Sequence, residues 1–83
     1  GLQTDDDSRR VEFIRRAVAS VRRAIADGVD VRSYVHWSFI DNFEWTGGFH
    51  GKLGLVAFDR TTFKRTVKDS GRLLGEIARR NGL

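Results

Sequence analysis

Eighty-three residues are enough for one small domain and too few for two. A chain of that size buries only about 60–65% of its unfolded surface, so its core is thin. There is no cysteine, so neither a disulfide nor a Cys-ligated metal site can reinforce it. The net charge is +4, carried mostly by arginine, and no apolar run reaches the ~18 residues of a membrane span, so no membrane partner is expected.

Asp5, Asp6, Asp7 and Ser8 place short acceptors and negative charge where a helix would begin. Val11, Ile14, Val18, Val21 and Ile25 then recur at intervals of three and four, with Ala17 and Ala24 widening the stripe: an amphipathic helix with one buried face. Gly28 can end it in the left-handed conformation. Arg15, Arg16, Arg22 and Arg23 lie away from that stripe, and Glu12–Arg16 and Arg23–Asp27 have the spacing of helical ion pairs. Clustered arginines also suit phosphate contacts, but this placement favours a solvated helix face over a nucleic-acid surface.

Residues 31–39 contain Tyr34, Val35, Trp37 and Phe39 with little polar alternation, which reads as a strand buried on both faces of a parallel sheet. Residues 41–52 are loop-like, with Asp41-Asn42 and then Gly47-Gly48 and Gly51. Residues 53–58 are a second short strand. Asp59-Arg60-Thr61-Thr62 turns it into residues 63–67, making a small hairpin. Asp69 and Ser70 are the expected caps of a last helix whose apolar face is Leu73, Leu74, Ile77 and Ala78, and whose end is Asn81-Gly82. Gly71 and Gly75 each weaken it by up to about 1 kcal/mol relative to Ala.

Helix, buried strand, long loop with a hairpin, helix is an α/β order. A βα unit of a (β/α)8 barrel takes about 30 of roughly 250 residues. The chain therefore holds a helix and one complete unit with an enlarged loop. A single buried strand needs parallel neighbours that are not here, so residues 1–83 read as one section of a larger barrel domain, incomplete alone.

Trp37-Ser38-Phe39-Ile40-Asp41-Asn42-Phe43-Glu44-Trp45 runs from the carboxyl end of the strand into the loop. In barrels that end carries the active site. A carboxylate can accept hydrogen bonds from two neighbouring hydroxyls, and an indole offers an apolar face and an N–H donor, so the set suits a carbohydrate. Composition alone favours two core tryptophans and a solvated loop acid, because tryptophan is highly buried on average.

The same string resembles the C-terminal region of glycoside hydrolase family 1, the β-glucosidase and β-galactosidase family: Trp-Ser-x-x-Asp-Asn-Phe/Tyr-Glu-Trp, Gly-Phe/Tyr, Lys/Arg-Phe-Gly-Leu, then Asp. Trp37, Ser38, Asp41, Asn42, Phe43, Glu44, Trp45, Gly48-Phe49, Lys52, Gly54-Leu55 and Asp59 fall in place. Asp6-Asp7 with Arg10-Val11 is similar to that family's lead into its seventh helix, and the stretch ending at Asn81-Gly82 to its eighth. Three positions depart from the pattern: Leu53 stands for a pocket phenylalanine, Val67 for a proline and Leu73 for a tryptophan.

The resemblance implies a TIM barrel fold and a retaining β-glycosidase that uses two glutamates, no metal and no cofactor. It implies that Glu44 accepts hydrogen bonds from the 4- and 6-hydroxyls of the sugar before the cleaved bond. Trp45 would contact the 3- and 4-hydroxyl region, and Trp37 would wall the pocket. The family's two catalytic glutamates lie in Asn-Glu-Pro and Thr-Glu-Asn-Gly motifs, neither of which occurs here, so no catalytic residue is expected in this chain. Retention requires two carboxyl groups about 5–5.5 Å apart. Glu12 and Glu76 fall on different helices, and Asp41 reads as a loop former. His36 is expected to be a hydrogen-bonded core residue and His50 an exposed one; two histidines without suitably placed acids make no zinc site.

The expected partners are a small β-glycoside and the remainder of the barrel, with no nucleic acid. The alternative function is a small basic nucleic-acid-binding module, which steep salt dependence would reveal. Residues 1–7 are polar and acidic, unlike a secretory leader; the expected compartment is the cytoplasm.

Overall fold

The computed structural model describes residues 1–83. Helix α1 spans Asp7–Ala26. Its start is the acidic one anticipated: the Asp6 carboxylate accepts hydrogen bonds from the Ser8 amide at 3.0 Å and the Ser8 hydroxyl at 2.6 Å, satisfying donors that a helix leaves open in its first turn. Gly28, at φ 94, turns the chain out. Along α1, Ile14 is fully buried and Val11, Val18 and Val21 are partly so, while Arg15, Arg16, Arg22 and Arg23 are exposed. Arg16 pairs with Glu12 at 2.8 Å. The expected Arg23–Asp27 pair does not form: Arg23 donates instead to the Ser20 hydroxyl at 3.1 Å, and Asp27 lies just past the last helical turn. Neither helix is long and apolar enough to cross a membrane.

Residues 31–39 do not form the strand expected of them. The backbone is extended, yet residues 32–37 make no backbone hydrogen bond within the chain. Pairing begins only at Ser38, whose amide donates to the Leu53 carbonyl at 3.1 Å, and a parallel bridge joins Ile40 to Val56. A strand is defined by its neighbours, and no other segment of this chain pairs its backbone with residues 32–37. The side chains of the segment alternate: Tyr34, His36 and Ser38 are partly or fully buried, while Val35, Trp37 and Phe39 are exposed in this chain alone. That is the period of two of an extended chain covered on one side.

Strand β1, Val56–Phe58, pairs antiparallel with β2, Arg65–Val67, in the register Val56↔Val67, Ala57↔Thr66 and Phe58↔Arg65. The anticipated turn between them is built on Asp59, whose carboxylate accepts from the Thr61 amide at 2.8 Å and the Thr62 amide at 3.2 Å.

Helix α2 spans Asp69–Arg80 and ends as anticipated at Asn81 in the left-handed conformation. Its start differs from expectation. Neither Asp69 nor Ser70 caps it; both already lie inside the helix. The acceptor comes from α1: Asp7 receives the Ser70 amide at 2.9 Å and the Ser70 hydroxyl at 2.7 Å. Burial pushes the Asp7 carboxyl up, but its bonds from Ser70 and Arg10 outweigh that and hold its pKa below the ordinary 3.8.

The core is small. Ile14, Leu55 and Ile77 form its centre, with Phe13, Val18, Leu73 and Leu74 packed around them. Arg10, also fully buried, donates to Asp7 and to the carbonyls of Leu2, Thr4 and Lys52, tying the N-terminal segment to the loop. The exposed area is 6240 Å², against about 5000 Å² for a compact monomer of this mass. The radius of gyration is 14.0 Å, against about 12 Å for a compact domain of this length. The chain is more open than a self-contained domain, as its reading as an incomplete section requires.

Candidate functional site

The site is organised by the loop between Asp41 and Gly54. At its neck the two ends of the loop meet. The Gly54 amide donates to the Asp41 carboxylate at 2.8 Å, and Lys68 closes the arrangement, donating to Asp41 at 2.9 Å and to the Gly54 carbonyl at 2.9 Å. A side chain at position 54 would not fit, because its Cβ would fall 2.3 Å from the Asp41 amide nitrogen. Asp41 thus has the structural role expected of it. Lys68 was not singled out from the sequence; it lies 27 residues from Asp41, and no local pattern announces the pairing.

Inside the loop, a 3-10 turn at Trp45–Gly47 folds the chain back. The Glu44 amide donates to the Gly48 carbonyl at 2.7 Å, and the Gly47 amide to the Glu44 carbonyl at 2.9 Å. Gly48 takes φ 60 and Trp45, unusually for a tryptophan, φ 49. Phe43 and Phe49 meet edge to face at 5.4 Å, and the Arg60 guanidinium lies 4.0 Å over the Phe49 ring.

This geometry brings two of the three candidates together. The Trp37 indole N–H donates to Glu44 Oε1 at 3.2 Å, although the residues are seven apart and on different segments. The second oxygen, Oε2, is shielded from solvent and accepts no hydrogen bond from the protein. Trp45 is adjacent in sequence but makes no hydrogen bond to either; its ring is 81% exposed. Trp37 is 57% exposed, so neither tryptophan is a core residue of this chain. The arrangement can accept a hydrogen bond at a partly buried carboxylate and offer aromatic faces beside it.

The other titratable groups stand elsewhere. Glu12 and Glu76 pair with Arg16 and Arg79 of their own helices, at 2.8 and 2.9 Å. No three His, Asp or Glu side chains gather as metal ligands would. His50 is exposed, as expected. His36 is partly buried beside the Leu53 backbone; its shielded ring nitrogens make no hydrogen bond of full geometry, and the ring lies edge-on to Phe13 at 6.3 Å. Burial pulls its pKa below the usual histidine value. An apolar groove of about 690 Å³ lies far from this chemistry, between the ends of α1 and α2, where Val18, Ile25, Tyr34 and Leu74 line it.

Comparison with known proteins agrees with the motif. The chain is 42% identical over 77 residues to 1,4-beta-D-glucan glucohydrolase of Thermotoga neapolitana, covering 93% of this chain and 17% of that protein. It is 39% identical over 83 residues to a beta-galactosidase of Sulfolobus acidocaldarius, covering all of this chain and 17% of that protein. Its fold matches an apo beta-glucosidase with a TM-score of 0.96 and 57% identity, over the whole of this chain and 21% of that one. It matches the Thermotoga maritima beta-glucosidase in complex with glucoimidazole with a TM-score of 0.90 and 38% identity, over 93% of this chain and 18% of that one. The chain thus spans about a sixth of the length of the curated relatives it matches. The model of glycosyl hydrolase family 1 matches residues 2–83, and the chain belongs to that family.

Proposed function

We propose that this chain is the sugar-holding section of a retaining β-glycosidase that hydrolyses O-glycosidic bonds, and that the catalytic glutamates come from the rest of the enzyme. In this reading α1, the extended segment at 31–40 and α2 take the places of the seventh helix, eighth strand and eighth helix of a TIM barrel. Residues 1–83 are then one part of a single domain. Its partners are the remainder of that barrel and a small β-glycoside.

One observation carries the reading: the Glu44 carboxylate, oriented by Trp37 at one oxygen and shielded but unpartnered at the other. A buried acceptor without a donor costs about 1–3 kcal/mol. A sugar hydroxyl at Oε2 removes that cost, and a neighbouring hydroxyl can share Oε1 with the indole. Trp45, exposed beside it, offers its ring to the apolar C–H face of the sugar. The relatives named above as acting on β-glucosides and β-galactosides support this substrate class.

The test is Glu44→Ala in the full-length enzyme. Each charged hydrogen bond to a sugar hydroxyl contributes about 1.5–3 kcal/mol. Loss of two lowers kcat/KM for an aryl β-glucoside by roughly two to four orders of magnitude, at about 1.4 kcal/mol per tenfold. A xyloside lacks the 6-hydroxymethyl group, so its penalty is smaller. Equal penalties on both sugars, or a melting temperature that falls as steeply as activity, would return Glu44 to a structural role.

A further inference from the structure

We infer that Asp41 and Lys68 are positioning residues for sugar recognition: a partly buried ion pair that fixes the Glu44–Trp45 loop to the start of α2. The inference rests on the reading of Glu44 given above and names the device that aims it.

The loop leaves the body of the chain at Asp41 and returns at Gly54, and it carries both Glu44 and Trp45. Three contacts close its neck, and all involve the same two side chains. The Asp41 carboxylate takes the Gly54 amide at 2.8 Å and Lys68 Nζ at 2.9 and 3.0 Å, and Lys68 Nζ also donates to the Gly54 carbonyl at 2.9 Å. Both side chains are largely withdrawn from water, at 13% and 14% exposure, so the pair is screened far less than the surface pairs of the two helices. The backbone completes the frame: the Asp41 amide donates to the Val56 carbonyl at 3.0 Å, and the Lys68 amide to the Leu55 carbonyl at 2.9 Å.

Lys68 immediately precedes α2, so the neck takes its position from the helix. Asp41 lies only three residues before Glu44, so a change in its direction carries directly to the carboxylate. An apolar pair could fill the same volume with equal stability. It could not fix direction in the same way, because hydrogen-bonded charged groups specify separation and angle where apolar contacts do not. A displacement of about 1 Å in a group that holds substrate can cost on the order of 10²-fold in rate.

The experiment uses the full-length enzyme with Asp41→Asn, which keeps the size and removes the charge, and Lys68→Met, which keeps the stem. Two quantities are read: hydrogen exchange at the Glu44, Gly47 and Gly48 amides, and the ratio of kcat/KM for an aryl β-glucoside to that for the xyloside. The expected result is faster exchange at those amides with α1 unchanged, and a ratio lowered about tenfold, to which Glu44→Gln adds little in the same chain. Unchanged exchange in the loop overturns the inference, and so does an unchanged ratio in variants whose only defect is a lower melting temperature. Glu44→Gln alone is the control for the underlying reading. If it leaves the ratio intact, the sugar assignment fails, and exchange at the loop amides still decides whether the pair holds the loop.

Discussion

Ile14 and Trp45 stand in opposite conditions within one short chain. Ile14 has no exposed surface and sits where α1, α2 and Leu55 converge. Trp45, a larger apolar side chain, is 81% exposed in a loop whose shape is set by backbone and ionic contacts. The helix pair is finished by its own residues: apolar stripes meet, and Asp7 accepts from both Arg10 and Ser70. The side chains of Val35, Trp37 and Phe39, on one side of the extended segment, are left largely exposed by the chain. Exposed apolar surface of this extent belongs to something that covers it, and the unpaired backbone of residues 32–37 says the same for hydrogen bonding. The difference separates residues that hold the section together from residues that serve the larger structure.

The sharpest way to break this comparison is to isolate the chain. Without its covering elements it should show no cooperative thermal transition as a monomer, or should associate through the open face. Sedimentation combined with calorimetry checks this, and a sharp transition in a confirmed monomer would contradict it. In the full-length enzyme, Arg10→Met should come next. It leaves the Leu2 and Thr4 carbonyls without their Arg10 donor, removes one of two donors to the Lys52 carbonyl and deprives Asp7 of its cation, at a cost of about 3–5 kcal/mol. Ile14→Ala should cost about 2–5 kcal/mol by opening a cavity. Trp45→Ala, a larger truncation, should change denaturant stability by less than about 1 kcal/mol while lowering kcat/KM.

Acid sharpens the contrast. The folded pKa of Asp7 lies below its ordinary 3.8, so the stability it contributes is fully present above that value. It is lost as pH falls through the depressed folded one. Unfolding followed in acid should therefore show a weaker pH dependence in Asp7→Asn than in the parent. The smallest effects come from two glycines of α2. A Cβ at Gly75 meets nothing, so Gly75→Ala should stabilise by up to about 1 kcal/mol. At Gly71 a Cβ would sit 2.8 Å from the Leu55 carbonyl oxygen, so the same substitution should destabilise. Melting temperatures of opposite shift would confirm both.

The helices were legible because everything that defines them is local. Three-four spacing marks the buried stripes, Asp6 marks one start and Asn81 one end. Even so, the start of α2 was misread: the acceptor for Ser70 is 63 residues away, beyond any sequence window. The segment at 31–39 was legible in composition and not in pairing, since hydrogen bonds to absent neighbours leave no trace in the residues themselves. For Glu44, residue type and a glycine-flanked loop allowed a solvated acid more readily than a ligand. The surrounding string selected the family, and the Trp37 contact then gave the carboxylate a direction. Lys68 was invisible because a lysine before a helix is ordinary until the fold brings it to Asp41.

The carboxylate that Asp7 lends to Ser70 also bears on the order in which the section assembles. The first turn of α2 is completed by a residue in the first turn of α1, and joining them closes a loop whose entropy cost is roughly 4 kcal/mol for 63 residues. Until that loop closes, α2 is a twelve-residue helix containing two glycines and no N-terminal side-chain cap of its own, a length at which isolated helices are marginal in water. Its stability is therefore coupled to the docking of α1. The intervening loop, whose neck is anchored on Lys68 at the same helix start, is coupled through that residue to the contact between the two ends of the chain.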